Sequence, residues 1–182
     1  MDRALIDTTA QLLVQGGYAA LSLTQVAERA GVSKPALYRR YPNRAALATA
    51  VLIDRFGLDV SGEDTGGLET DLRALQRHQR DLFCDPVLGA TVSGLLADLD
   101  VDPEATARFA DTFLMPRRRS TAEILERAEA RGEIAAGWDN EWICDLITGP
   151  FLMRACLPVL GRIDDDLVEH TVQAALAVLA GR

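Results

Sequence analysis

No stretch of the 182 residues approaches the roughly 18 uninterrupted apolar residues that a membrane-spanning helix requires. The N-terminus has no signal-peptide apolar segment, so a cytoplasmic protein with no membrane partner is expected. Cysteine is scarce. Cys84, Cys144 and Cys156 are odd in number and include no Cys-x-x-Cys pair, which argues against a disulfide framework and predicts buried free thiols. The two histidines, His78 and His170, have no His or Cys at ligand spacing, and no metal is expected. Asp98, Asp100 and Asp102 imitate the start of a calcium loop, but Pro103 in place of the sixth-position glycine and Phe109 in place of the final glutamate exclude one. No Gly-x-Ser-x-Gly, P-loop or dinucleotide fingerprint is present, so neither an enzyme nor a cofactor is expected.

Aromatic residues are only 5% of the chain while apolar residues are 48%, so the core must be built mainly of Leu, Val, Ile and Ala. The formal charge of −8 is unevenly placed. Residues 1–56 carry seven Lys+Arg against four Asp+Glu, and the remainder carries twelve against twenty-three. A basic head attracts phosphate without regard to sequence, and an acidic body limits non-specific adhesion.

The head contains two short helical patterns joined by a turn. Leu23, Val26, Ala27 and Ala30 recur at helical spacing, and the small Ala27 lets a second helix approach. Ser22 and Gln25 fit a capping box, and Gly31 supplies the left-handed conformation that stops the helix. The second pattern has Ser33 as N-cap and Pro35 in the first turn, where its missing N–H breaks no bond. Leu37 and Tyr41 face the first helix. Pro35, Ala36, Tyr38 and Arg39 face outward, with Lys34, Arg40 and Arg44 adding charge. This is the arrangement with which a helix-turn-helix enters a DNA groove.

Ala27, Gly31-Val32-Ser33-Lys34, Leu37-Tyr38 and Tyr41 through Leu47, together with a preceding helix ending in Gly17-Tyr18, resemble the DNA-binding domain of the TetR family of bacterial transcriptional regulators. The resemblance implies a recognition helix at about Lys34 to Tyr41, with Tyr38 on phosphate or sugar, Pro35 and Ala36 near base edges, and Arg44 on a backbone phosphate. The expected DNA contacts are Ser22, Thr24, Ser33, Lys34, Pro35, Ala36, Tyr38, Arg39, Arg40, Tyr41 and Arg44. Arg40 stands where a histidine is common in the family, and the basic N-terminal arm of many members is reduced to Arg3.

After a polar, glycine-rich loop over Gly57 to Gly67, further helices are predicted near 68–83, 86–98, 103–131, 139–157 and 165–180. Pro116 and Pro150 predict kinks or breaks inside two of them. Asp164, Asp165 and Asp166 read as a helix N-cap and first-turn charges, and Arg117, Arg118 and Arg119 as a solvated face beside Glu123. The last helix carries two adjacent apolar stripes, Val168, Val172, Ala175 and Leu179 beside Leu167, Thr171, Ala174 and Val178. With Ile143 and Ile147 of the preceding helix, the residues Val168, Val172, Ala175 and Leu179 are expected to form a two-fold dimer interface.

FLMPRRR at 113–119, AEARGEI at 128–134 and DLITGPFLMR at 145–154 are similar to one subclass of TetR C-terminal domains. That resemblance implies a body that dimerises and holds a small ligand whose binding changes the separation of the DNA-reading heads. Candidate pocket walls are Phe109, Phe113, Trp142, Leu146 and Phe151. The whole reading is an all-α chain: an N-terminal three-helix bundle with a helix-turn-helix over residues 1–46, then a larger helical ligand-binding and dimerisation domain over 47–182. Its expected role is a homodimeric repressor, released from a palindromic double-stranded operator by an unidentified small molecule. An activator or ligand-independent regulator is the alternative.

Overall fold

The computed structural model describes residues 2–57 and 64–181. The expected loop over Gly57 to Gly67 falls, from 58 to 63, outside the described residues. Ten α-helices and no strand occur among the described residues. They are α1 (Asp2–Gly16), α2 (Leu23–Ala30), α3 (Lys34–Arg40), α4 (Arg44–Phe56), α5 (Leu68–Cys84), α6 (Pro86–Val101), α7 (Pro103–Phe109), α8 (Met115–Ala130), α9 (Asn140–Cys156) and α10 (Asp165–Leu179). The chain divides into two compact units, Met1–Leu58 with Asp85–Leu114, and Asp59–Cys84 with Met115–Arg182. Residue 46 lies inside α4, so these units divide the chain elsewhere than at 46.

In the first unit α1 packs against α2 and α4, and α2 against α3. Leu5, Leu13, Val26, Ala27, Leu37, Leu47 and Val51 are buried at its centre. Each large aliphatic side chain withdrawn in this way contributes about 1.5–3 kcal/mol before chain entropy is deducted. α6 packs on both α1 and α4, and α7 packs on α4. Gly31 sits at φ 67°, and the N–H groups of Gly31 and Val32 return to the carbonyls of Glu28 and Ala27 at 3.3 and 2.9 Å, closing α2 as expected. The capping box is not formed, because the Ser22 hydroxyl makes no capping bond; nor does that of Ser33, although both occupy the N-cap position. Side-chain caps appear elsewhere. Asn43, Asp85, Asp102, Asp139 and Asp164 accept N–H bonds at the starts of α4, α6, α7, α9 and α10, each worth about 1 kcal/mol.

The single helix predicted over 103–131 is interrupted. A π-helical turn at Ala110–Leu114 separates α7 from α8. Pro116 lacks the N–H that would bond the Thr112 carbonyl inside that turn, which gives the break its cause. Pro150, in contrast, lies within a continuous α9.

The second unit packs α10 on α5 and α9, and α8 on the same two helices. Leu68, Leu72, Ile124, Leu125, Ile143, Ile147, Val172, Ala175 and Leu179 form its main core, and Phe151, Leu167 and Val168 a smaller one. The proposed interface residues Ile143, Ile147, Val168, Val172, Ala175 and Leu179 are therefore corrected to core: every one is buried within its own chain. Of the thiols, only Cys144 is buried; Cys84 is exposed and Cys156 half-buried. Cys84 donates to the Ile163 carbonyl at 3.4 Å.

Two features of this fold have measurable consequences. A Cβ on Gly94 of α6 would stand 2.6 Å from Cδ1 and 3.0 Å from Cβ of the buried Tyr18, whose ring is pinned at its far end. Gly94→Ala is expected to destabilise the protein by about 1–3 kcal/mol through overpacking, read as a lowered thermal midpoint. In the second unit, burial of Asp71 would raise its pKa, but the hydroxyl and N–H of Thr65, with Arg131 and Arg127, outweigh this and lower it below the ordinary 3.8. A lowered native pKa stabilises above the unfolded value, and that contribution disappears as pH falls through the native one. The urea midpoints of the wild type and Asp71→Asn should differ at neutral pH and converge as the pH drops below about 4.

Candidate nucleic-acid interface

Helix α3 packs on α2 and buries one side chain, Leu37; Val26 and Ala27 are the buried residues of α2. The rest of the helix faces out. Lys34, Pro35, Tyr38, Arg39 and Arg40 are exposed, as are Ser22 and Ser33, while Thr24, Ala36 and Tyr41 are half-buried. Tyr38 keeps 46% of its surface accessible although it is aromatic. The expected contact residues other than Arg44 thus lie on the two helix-turn-helix helices or at their caps, with none fully buried. Lys34 pairs with Glu28 at 3.5 Å, both side chains being more than half exposed, an interaction weak enough to yield to phosphate. Arg3 lies in α1 and pairs with Asp7 and Asp54 at 3.0 and 3.3 Å, so its charge is already engaged on the far side of the bundle.

Arg44, expected to meet phosphate, is engaged in a second way. Its Nε and Nη2 donate to the two carboxylate oxygens of Asp98 on α6 at 2.7 and 2.8 Å. The guanidinium also lies 4.9 Å from the centroid of the Tyr18 ring, and the Tyr18 hydroxyl donates to Asp98 at 2.8 Å. The hydrogen bond from Arg44 holds the Asp98 carboxyl below its ordinary value against the opposing effect of burial. Burial, followed by the neighbouring carboxylate, raises the Tyr18 phenol. Beside this cluster Asn43 Nδ2 donates to Asp102 at 2.8 Å. The first turn of α4 is thereby fastened to the end of α6 by Asp98 and to the start of α7 by Asp102. Sequence reading considered these two aspartates only as a failed calcium loop. The available signal at Asp102 was its place before Pro103, the N-cap position of a helix that starts with proline.

The expected pocket residues fall in both units. Phe109 and Phe113 stack on one another at 5.2 Å in the first unit, and Phe151 stacks on Phe83 at 6.1 Å in the second. Trp142 is exposed and Leu146, one turn further along α9, is half-buried. A cleft of about 240 Å³ in the first unit is lined instead by Arg3, Asp7, Asp54 and Arg55 with Ile6, Ala10 and Val51, and its charged rim does not suit an apolar molecule. No single described helix is long and apolar enough to cross a membrane.

Residues 5–51 match the family described as bacterial regulatory proteins, tetR family, and residues 63–175 match the tetracyclin repressor-like C-terminal domain. The DNA-binding transcriptional repressor TetR of Mycobacteroides abscessus is 30% identical over 181 residues, covering 97% of this chain and 92% of the relative. An uncharacterized HTH-type transcriptional regulator of Mycobacterium bovis is also 30% identical, over 85% of this chain and 75% of its own. Among solved structures, the TetR family transcription regulator SCO0332 superposes with a TM-score of 0.74 at 24% identity, covering 96% of each chain. FadR of Bacillus subtilis, solved in complex with stearoyl-CoA, does so at 0.69 and 18% identity, covering all of this chain and 98% of that one. Helix-turn-helix, helical body and relatives agree: this chain belongs to the TetR family of bacterial transcriptional regulators, and is a DNA-binding regulator and not an enzyme.

Proposed function

We propose that the protein is a homodimeric repressor that sits on a palindromic operator and leaves it when a small molecule binds the helical body. One observation carries this reading: α3 presents Lys34, Tyr38, Arg39 and Arg40 outward from a two-helix scaffold whose apolar face is already used. Residues 1–46 read DNA, and residues 47–182 dimerise and bind the effector. The DNA contacts are Ser22, Thr24, Ser33, Lys34, Pro35, Ala36, Tyr38, Arg39, Arg40 and Tyr41, with Arg44 reaching phosphate only as its bond to Asp98 loosens. Such a regulator works in the cytoplasm, where the operator is. The effector shifts the balance only by its preference for the released geometry.

The dimer face follows from what the core leaves outside. Trp142, Gly149 and Met153 recur along the outer side of α9 with Leu146 between them; Trp142 is 54% and Met153 51% exposed. A Cβ at Gly149 would meet nothing within 4 Å, so a second helix can come close there. The stripe continues through the exposed Leu157, Val159 and Leu160, and α10 adds Ala174 and Ala177. A second copy of this chain, related by a two-fold axis, covers these residues and completes a four-helix arrangement.

Selection of bound duplexes from a random library tests the reading: enrichment of a palindrome supports it, and no enrichment from a folded dimer overturns it. With that operator in hand, fluorescence anisotropy should show Tyr38→Ala and Arg39→Ala weakening binding by about tenfold or more, with Arg39→Ala lowering the salt slope by about one. Asp98→Asn removes the charge that offsets Arg44, and should tighten binding to random duplex and steepen its salt dependence. Met153→Asp should raise the dimer dissociation constant in sedimentation while leaving the helical content unchanged.

A further inference from the structure

The inner face of α5 carries more polarity than helix packing explains. Gln76 is fully buried, and neither its amide oxygen nor its amide nitrogen has a partner among the described residues. Gln79, three residues along the same face, donates Nε2 to Thr148 Oγ1 of α9 at 3.1 Å, and its buried Oε1 has no partner. Thr148 lies 3.8 Å from Cys144 Sγ, to which Thr121 of α8 also donates at 3.8 Å. Uncharged hydrogen-bonding groups of three helices therefore meet inside a unit whose hydrophobic clusters are aliphatic and aromatic. Folded proteins rarely leave both ends of a buried amide unsatisfied. A methionine of similar length would fill the Gln76 site without that cost.

The same two helices supply an apolar surface next to this polar group. Phe83 follows Gln79 by one turn on α5, and Phe151 follows Thr148 by one turn on α9; the two rings stack at 6.1 Å. Of the charges on α8 and α9, Arg118 donates to Glu141 and, at 2.7 Å, to Asp145, while burial lowers the half-buried Arg117 guanidinium to about 10, which marks its surroundings as unfavourable to charge. A carboxamide has one acceptor and two donors, and its natural complement is another amide edge.

We propose that Gln76 and Gln79 are the recognition groups of the effector site, and that the effector is an uncharged molecule presenting an amide or lactam edge on an aromatic or apolar body. The amide edge bonds Gln76 and Gln79 Oε1, and the body lies against Phe83 and Phe151. This rests on the reading of the chain as an effector-released regulator. Opening α5 from α9 to admit the molecule breaks the Gln79–Thr148 bond, which gives binding a structural readout in the helix pair itself.

The test uses the full chain and benzamide as probe, with benzoate and benzylamine as charged counterparts of the same shape. In ¹H–¹⁵N spectra, millimolar benzamide should shift the side-chain amide signals of Gln76 and Gln79, and the charged pair should not. Gln76→Met should reduce benzamide affinity by about tenfold or more and raise the melting temperature, since it removes a buried amide that lacks a partner. Thr148→Val serves as the second variant: it removes the bond that must break on binding and should tighten benzamide binding. A lowered melting temperature in Gln76→Met, unchanged benzamide affinity in both variants, or stronger binding of benzoate would each overturn the proposal. Operator binding is measured on the same sample. An operator bound without any benzamide effect at Gln76 removes the amide site and leaves the regulator, whereas benzamide bound at Gln76 with no operator recovered removes the regulator and leaves the site.

Discussion

The arrangement of the first unit depends on one carboxylate. Asp98 takes both donors of Arg44 and the hydroxyl of Tyr18, so a side chain on α6 fixes the start of α4 and the short turn that follows α1 at once. The group is partly buried, where an unmatched charge is costly and a bidentate, hydrogen-bonded one is geometrically demanding. Gly94, one turn earlier on α6, leaves the room in which Tyr18 lies. The helix-turn-helix is thus not a free bundle on a tether. It shares its packing with α6 and α7, which is why compactness assigns residues 85–114 to the same unit as the head.

This sharing also explains what reading the residues could and could not give. Local signals were legible where one residue suffices to enforce a conformation. Gly31 at positive φ, Pro35 in a first turn, Asp164 as a cap and the break before Pro116 are of that kind. The Ser22–Gln25 pair has the right letters, but its hydroxyl makes no such bond, since a cap is optional where tertiary packing already holds the helix start. Periodicity identified the apolar sides of α9 and α10 correctly as surfaces that need cover. It carried no information on whether that cover comes from the same chain, and Val168, Val172 and Ala175 prove to be covered by their own core. On such a helix, rich in apolar residues everywhere, the sequence gives no contrast between its sides, so the outward position of Trp142, expected as a pocket wall, and of Met153 is visible only in the fold.

Polar residues on inner faces were the other blind spot. Gln76 and Gln79 fall in a helix whose sequence is mostly polar, so nothing in a linear reading separates them from the solvated Arg77 and His78 between them. Only the positions of α8 and α9 reveal that two glutamines point inward and two neighbours point out. The aromatic candidates pose the converse difficulty. Large rings were sought as pocket walls, and Phe109 with Phe113, or Phe83 with Phe151, prove to cover one another.

Asn43 and Asp102 show how narrow the choice at a helix start becomes when it serves two helices. Asn43 Oδ1 accepts the Ala46 N–H and caps α4, its Nδ2 donates to Asp102 Oδ2, and Asp102 Oδ1 accepts the Ala105 N–H and caps α7. N-caps in general accept aspartate as readily as asparagine. Here aspartate would cap α4 equally well and set two carboxylates face to face at hydrogen-bonding distance. Spontaneous deamidation makes that very exchange, so chemical ageing at this one amide would drive the starts of α4 and α7 apart and loosen the DNA-reading head from within.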